Sequence, residues 1–361
     1  MQRCVYGKFL GMRFLFNTVK LIFLMIGISS CSSKNISIDW SSLMDIPDQV
    51  GFAGSFVGIA NDALIVAGGA NFPDGGAPWT GSKKVWHDDI FVLDHPKSKW
   101  KKVGKLPRPL GYGVSITCRE GMILIGGSTQ DKHSSEVLLL QYEGDSVRFE
   151  RFPDLPQPLA NSTGVILNNI VYILGGTLDH SSTKSESNFW ALDLDSVDAG
   201  WKILDSWPGP SRMLAVAGAQ DEAIYLFSGA RLEDGTREYL KDAYRYDVGK
   251  GWKEIASLPS PVVAAPSPAF AESSGHLLIF GGDDGSSVGI DPKQDKHPGF
   301  SRSILSYDAY ADRWSDIGSQ PETAAVTTSL VVWDGRIIIP GGEVRPAVRT
   351  RQVVVVDVRD L

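Results

Sequence analysis

The sequence predicts an all-β protein in which six four-stranded sheets stand as the blades of a propeller, the last blade being closed by a strand from the N-terminus. Three observations predict it. A short apolar run ending in a glycine pair recurs six times. Each is followed by a loop, an apolar segment that often ends in Asp, and in four units a spaced Trp. The composition is that of a core-forming chain rich in turns, 43% hydrophobic with 38 Gly and 20 Pro among 361 residues.

The pairs are Gly68-Gly69, Gly126-Gly127, Gly175-Gly176, the near equivalent Ser228-Gly229, Gly281-Gly282 and Gly341-Gly342. They end the runs Leu64 to Ala67, Ile123 to Ile125, Val171 to Leu174, Ile224 to Phe227, Leu277 to Phe280 and Ile337 to Ile339. Successive pairs are roughly fifty to sixty residues apart, a spacing that marks a repeat architecture. Polar turns such as Asn61-Asp62, Asn168-Asn169 and Asp334-Gly335 precede the runs, and another strand-like segment precedes each turn. The third segments are Ile90 to Asp94, Trp190 to Asp193, Ala243 to Asp247 and Ile304 to Asp308; fourth segments open at Trp100, Trp201, Trp252 and Trp314. A sheet of four short strands has an apolar face it cannot bury alone, and stacking such sheets around an axis buries it.

Closure follows from the chain ends. The last unit has three strands, at 324–333, 336–339 and 352–358, and then the chain stops. The missing fourth strand and its Trp are supplied by Ile38-Asp39-Trp40-Ser41-Ser42-Leu43. Residues 37–361 are thus expected to form one closed ring with no free sheet edge.

The first thirty residues read as a targeting segment. Arg3, Lys8, Arg13 and Lys20 precede the apolar stretch Leu21 to Ile28, and Ile28-Ser29-Ser30-Cys31 resembles a bacterial lipobox in which Cys31 is lipidated. Residues 32–36 would be a tether, and Met12 is an alternative start. These features place the mature protein at the bacterial cell envelope, as a periplasmic or outer-membrane-anchored lipoprotein whose only membrane contact is its lipid. Cys118 is then the single cysteine of the mature body, which excludes an intrachain disulfide framework. Its apolar neighbours make it a buried structural thiol. The formal charge of −7, with no basic cluster in the mature part, offers no electrostatic case for nucleic acid.

Chemistry is expected in the loops after the glycine pairs. Four are long, at 70–88, 177–188, 230–242 and 283–301, and all leave from one face of the ring. Only the last pair is followed directly by an acid and arginines, in Gly341-Gly342-Glu343-Val344-Arg345-Pro346-Ala347-Val348-Arg349-Thr350. A second distinctive stretch is Gly68-Gly69-Ala70-Asn71-Phe72-Pro73, with Gly81-Ser82-Lys83-Lys84-Val85-Trp86-His87-Asp88 behind it. The histidines show no metal-ligand spacing.

The apolar run, Gly-Gly, apolar-Asp and spaced Trp are what kelch repeats display. The two stretches just quoted resemble the N-acetylneuraminate epimerases, the sialic acid mutarotases built on kelch repeats. The likeness covers the whole propeller in shifted order, as in a cyclic permutant: the blade with which family members commonly begin corresponds to about residue 157 onward. The family's Gly-Glu-x-x-Pro-x-x-Arg-Thr motif is matched by Gly342, Glu343, Pro346, Arg349 and Thr350. The resemblance implies Glu343 as the proton acceptor and Arg349 as its associated arginine. It also implies Arg212, in Pro210-Ser211-Arg212, as a further guanidinium, although the family has Pro-Arg there.

Opening and reclosing a 2-keto sugar ring is general acid–base work and requires no cofactor. A planar guanidinium suits the substrate's carboxylate, with Arg349 as the clamp and Arg212 or Arg345 assisting. Asn71, Tyr112 and Lys83 are further candidates for binding the sugar. The alternatives remain open: Glu343 bonding its own turn, Lys83 and Lys84 solvating a loop, and Arg351 as a peripheral charge. The competing functions are a non-catalytic kelch module binding glycan or protein, and a mutarotase for another acidic sugar. A propeller sialidase is set aside because its Ser-x-Asp-x-Gly-x-x-Trp turns are absent, and a copper radical oxidase because it needs a Cys ligand besides Tyr and His.

Overall fold

The computed structural model of the protein describes residues 36–293 and 297–360. These form six antiparallel four-stranded sheets, in which the apolar runs that precede the glycine pairs are second strands. Blade I comprises Phe56–Ala60, Ala63–Ala67, Asp89–Leu93 and Lys101–Lys105. Blades II to V span 114–152, 163–203, 216–255 and 270–319. Blade VI has Val331–Trp333, Arg336–Pro340 and Val353–Asp360, and its outermost strand is Ile36–Leu43 from the other end of the chain. That strand pairs antiparallel with the last one over all eight residues, Trp40 opposite Val356 and Leu43 opposite Val353. The expected closure is therefore present. The targeting segment and Cys31 lie outside the described residues.

Side chains from facing sheets form the core, because the second strands are buried on both faces. Every residue of Ala63–Ala67, Gly121–Ile125 and Ala223–Phe227 is buried. Such strands read as unbroken apolar runs where a half-exposed strand would alternate. The spaced tryptophans staple neighbouring blades. The indole N–H of Trp201 donates to Pro153 O (2.9 Å), that of Trp252 to Asp205 O (3.0 Å) and that of Trp314 to Ala256 O (2.8 Å). Each acceptor lies just past the outer strand of the preceding blade. Trp100 makes the same bond across the closure, to Met44 O at 2.8 Å. Cys118 departs from expectation. It ends an inner strand, is half-exposed and free, and partial burial pushes its thiol upward.

The axis is bounded by a ring of backbone hydrogen bonds. Gly54, Tyr112, Asn161, Leu214, Ala264 and Thr327, one before each inner strand, all have φ between 55° and 66°. Each donates its N–H to the carbonyl of the equivalent residue in the preceding blade at 2.7–2.9 Å, Gly54 to Thr327 included, so the circle has no free donor. Five of the six are not glycine, and a left-handed residue costs about 1–3 kcal/mol unless its surroundings fix it. Here the closed circle fixes it. The ring lies on the face from which the long loops leave.

Candidate active site

Six residues directly after the glycine pairs, Ala70, Ser128, Thr177, Ala230, Asp283 and Glu343, occupy equivalent places. Each forms a bridge to the residue that precedes the axial ring: Ala53, Gly111, Ala160, Met213, Val263 and Val326. The glycine pairs allow this approach. Gly342 has φ +101°, and a Cβ there would stand 2.8 Å from Val326 O. Glu343 thus takes a place beside the axis where four blades carry a small side chain. Asp283 holds the sixth, and the Tyr239 hydroxyl donates to it at 2.7 Å.

Glu343–Arg345 and Val348–Arg349 form a small hairpin in which Glu343 faces Arg349. Arg349 Nη1 lies 3.0 Å from Glu343 Oε2, while Glu343 Oε1 accepts the N–H of Ala347 at 2.7 Å. The carboxylate therefore does both things open to it: it holds its own turn with one oxygen and pairs with the arginine through the other. Arg349 is 5% exposed and Glu343 20%. The guanidinium lies over the buried ring of Phe72, 5.3 Å from its centroid. Nη1 meets Glu343 at ion-pair distance without hydrogen-bonding geometry, and neither it nor Nε has a hydrogen-bond partner. An unpaired buried donor is costly, about 1–3 kcal/mol, so these two are positioned for an incoming acceptor.

Two further side chains complete the cluster. Lys84 places its ammonium 4.0 Å from the centre of the Tyr112 ring and 4.8 Å from that of Trp86. Burial lowers its pKa to about 8, with the Arg349 charge lowering it further and Glu343 opposing. The Tyr112 hydroxyl is buried beside the Arg349 guanidinium without a well-aligned hydrogen bond, and burial pushes the phenol up to about 12, the charge and contact of Arg349 acting against that shift and Glu343 with it. Gly54 makes the arrangement possible, because a Cβ there would stand 2.6 Å from Tyr112 Cδ1. The ring from blade II can thus lean across blade I toward the blade VI hairpin. One acid, two cations and a neutral phenol meet on the axis.

The sequence candidates divide. Glu343, Arg349 and Tyr112 are brought together, and Arg345 is on the same hairpin, half-exposed and without an ion pair among the described residues. Lys83 stays outside, fully exposed, because the short strand Val85–Trp86 is extended and alternate side chains point opposite ways. Lys84 and Trp86 take the inner side. That alternation was the available signal for Lys84. Asn71 is 1% exposed and its polar atoms are used: Nδ2 donates to Gly51 O at 3.0 Å, and Oδ1 meets His87 Nε2 at 2.7 Å. It anchors the loop and has no surface for a sugar. Arg351 pairs with Asp45 on the periphery.

Arg212 is also a correction. It is fully buried, sandwiched by Trp207 and Tyr244 at 5.4 and 5.2 Å, and bidentate to Asp242 at 3.1 and 2.7 Å. Its remaining N–H groups donate to Ser228 O and Pro210 O. All its donors are used inside the fold, so it joins blades III and IV and cannot clamp a ligand. Arg212→Leu strands Asp242 with no cation, and we expect a loss of about 3–5 kcal/mol of stability with an unchanged ligand affinity in the molecules that fold. Thermal melting and ligand titration below the melting range check this; weakened binding at unchanged melting temperature would make Arg212 a ligand residue.

A family model described as N-acetylneuraminate epimerase matches residues 27–149 and 152–288. The chain belongs to the N-acetylneuraminate epimerase family. Curated relatives carrying that name include one from Haemophilus influenzae (strain PittEE), 26% identical over 230 residues, covering 57% of this chain and 59% of the relative. One from Brucella suis is 36% identical over 126 residues, covering 31% and 32%, and one from Yersinia enterocolitica is 39% identical over 111, covering 28% of each. The matched part thus spans under two thirds of these relatives' length. A solved structure, described as "Structure of YjhT", superposes with a TM-score of 0.65 over 89% of this chain and all of that one, at 16% identity, and shares the propeller fold. As a member of this epimerase family the chain carries its glycine-pair repeats throughout, whereas the Glu343–Arg349 hairpin lies beyond the residues matched by the family model.

Proposed function

We propose that the protein interconverts the α and β anomers of N-acetylneuraminate by opening and reclosing the sugar ring. The observation that carries this reading is the Glu343–Arg349 pair with Lys84 and Tyr112 gathered against it. Glu343 takes the proton of the anomeric hydroxyl, and the Tyr112 phenol gives its proton to the ring oxygen as that C–O bond breaks. The carbonyl so formed rotates about its neighbouring C–C bond. The freed hydroxyl then attacks the other carbonyl face, returning its proton to Tyr112 while the new anomeric oxygen regains the proton on Glu343. No atom is gained or lost. The substrate carboxylate is held by the open donors of Arg349 and by Lys84. Rigid placement on the closed axial ring supplies the orientation such proton transfers need. The names carried by the family relatives support the sugar.

We take the rotated blade order as the arrangement of this chain. We place the protein at the cell envelope through Cys31.

Proton NMR of freshly released α-N-acetylneuraminate tests the reading. We expect the protein to accelerate relaxation to the β anomer, with an enzymatic kcat/KM that falls as pH rises through about 8. The sign follows from Lys84: its charged form, present below its pKa of about 8, attracts the carboxylate, and that attraction is lost above it. Relaxation at the spontaneous rate in every 2-keto sugar acid tried would leave a binding module. A profile flat to pH 10 would remove Lys84 from the site.

A further inference from the structure

Beside the cluster lies a cavity of about 350 Å³, lined by Lys84, Trp86, Tyr112, His133, His180 and Arg237 among others. Its wall draws on four of the loops that follow glycine pairs, with Tyr112 from the axial ring. Trp86 and His180 are stacked, with ring centroids 6.3 Å apart, and His180 lies 4.7 Å from His133. His180 Nε2 meets Ser128 Oγ at 2.9 Å, and His133 Nε2 meets Thr177 Oγ1 at 3.3 Å. Three buried polar atoms on this wall have no partner: Trp86 Nε1, Tyr112 OH and His133 Nδ1. With the two on Arg349, whose charge and contact bear on Tyr112, they make five of the eight such atoms among the described residues. Polar groups are rarely buried unpaired, and their concentration at one place points to a ligand with many hydrogen-bonding groups.

We propose that this cavity is the subsite for the hydroxyl-rich tail of the sugar acid, and that His133, His180 and Trp86 set the enzyme's preference for long-tailed substrates. The inference rests on the mutarotase reading for the position of the reacting end: with the carboxylate and anomeric centre at Arg349 and Glu343, Lys84 and Tyr112 are shared, and the tail extends past them. The chemistry suits a polyol. Aromatic faces accept the C–H surfaces of a sugar chain, while hydroxyls both donate and accept. A neutral imidazole does the same, and His133 is kept neutral by burial, which with the neighbouring His180 holds its pKa down to about 4. Among the described residues no group of three or more His, Cys, Asp or Glu side chains is placed to hold a metal ion. The indole N–H of Trp86 supplies a fixed donor.

The test uses two ligands with the intact protein: N-acetylneuraminate and its derivative shortened by periodate cleavage of the tail. In saturation-transfer NMR, the tail protons of the full sugar should receive saturation from wild type and lose it in His180→Ala. The same variant, at an exposed position, should lower kcat/KM on the full sugar about tenfold, as for one or two lost hydrogen bonds. On the shortened sugar it should act less than about twofold, within the spread of an ordinary surface change. His133→Leu serves as the second variant. Equal losses on both sugars, or saturation confined to the acetamido methyl, would overturn the assignment. Saturated tail protons without faster anomer exchange would leave the subsite standing and remove the mutarotase reading. Faster anomer exchange with no transfer to the tail would remove the subsite and leave the mutarotase reading; neither transfer nor faster exchange removes both.

Discussion

Glu343→Gln should reduce enzymatic anomer exchange by about a hundredfold or more and lower the melting temperature less than Glu343→Ala does. General acid–base groups contribute about 10² to 10⁴ in rate, and this substitution removes the base alone. The amide keeps an oxygen for the Ala347 N–H, so the hairpin turn, which depends on the bond at 2.7 Å, survives. What goes is the negative charge between Arg349 and Lys84. Glu343→Ala removes the turn acceptor as well and should cost stability in addition to rate. The uncatalysed reaction sets the floor, so the comparison is made on rates after subtraction of the protein-free control. Activity within about threefold of wild type in Glu343→Gln, a cost too small for a lost general base, would place the base elsewhere, with Tyr112 the next group to change.

Removal of residues before Met44 should abolish cooperative folding. The strand Ile36–Leu43 supplies the outer ladder of blade VI, and its loss exposes the whole edge of Val353–Asp360. Ile38 and Trp40 pack on the core between blades V and VI, and Leu43 on the core between VI and I. Allowing for partial burial, these three side chains contribute about 1–2 kcal/mol each, against a total stability of about 5–15 kcal/mol for an ordinary domain. Trp40 also meets Phe280 edge-to-face at 6.0 Å. The expected products are insoluble protein or a broad transition, with a peptide of residues 36–43 restoring a cooperative melt. A truncated protein that melts at the wild-type temperature would show that the ring does not need its closing strand. The site would suffer with the fold, since the segment after this strand backs the Glu343–Arg349 hairpin: Gly342 N–H donates to Phe52 O at 2.7 Å, and a Cβ on Gly51 would collide with Thr350 O.

Much of this was legible in the chain. Runs buried on both faces show themselves as unbroken apolar stretches, glycine pairs mark positions where backbone must pass close to backbone, and spaced tryptophans mark the staples. The short last unit announced its missing strand. Glu343 and Arg349 stood out because they directly follow a glycine pair whose counterparts are followed mostly by small residues. Arg212, Asn71, Lys83 and Lys84 were read less well, for a common reason. A charged or amide side chain has no periodic signature of its own, and whether it faces solvent, ligand or a buried partner is decided by residues far away in sequence. Arg212 is claimed by Asp242, thirty residues on. Asn71 is claimed by Gly51 and His87, and Lys84 is drawn inward by the ring of Tyr112.

The repeat, the number of blades, the strand that closes them and the loop that carries the acid are set by local patterning that any similar repeat would fold the same way, whereas the hairpin pairing of Glu343 with Arg349 comes from the structure. Only the tertiary structure decided which cations face that acid. It also decided that Tyr112 reaches it over Gly54, and that His133, His180 and Trp86 share a wall. Those contacts join loops from different blades, and closing the ring of six backbone hydrogen bonds is what brings the loops to one axis.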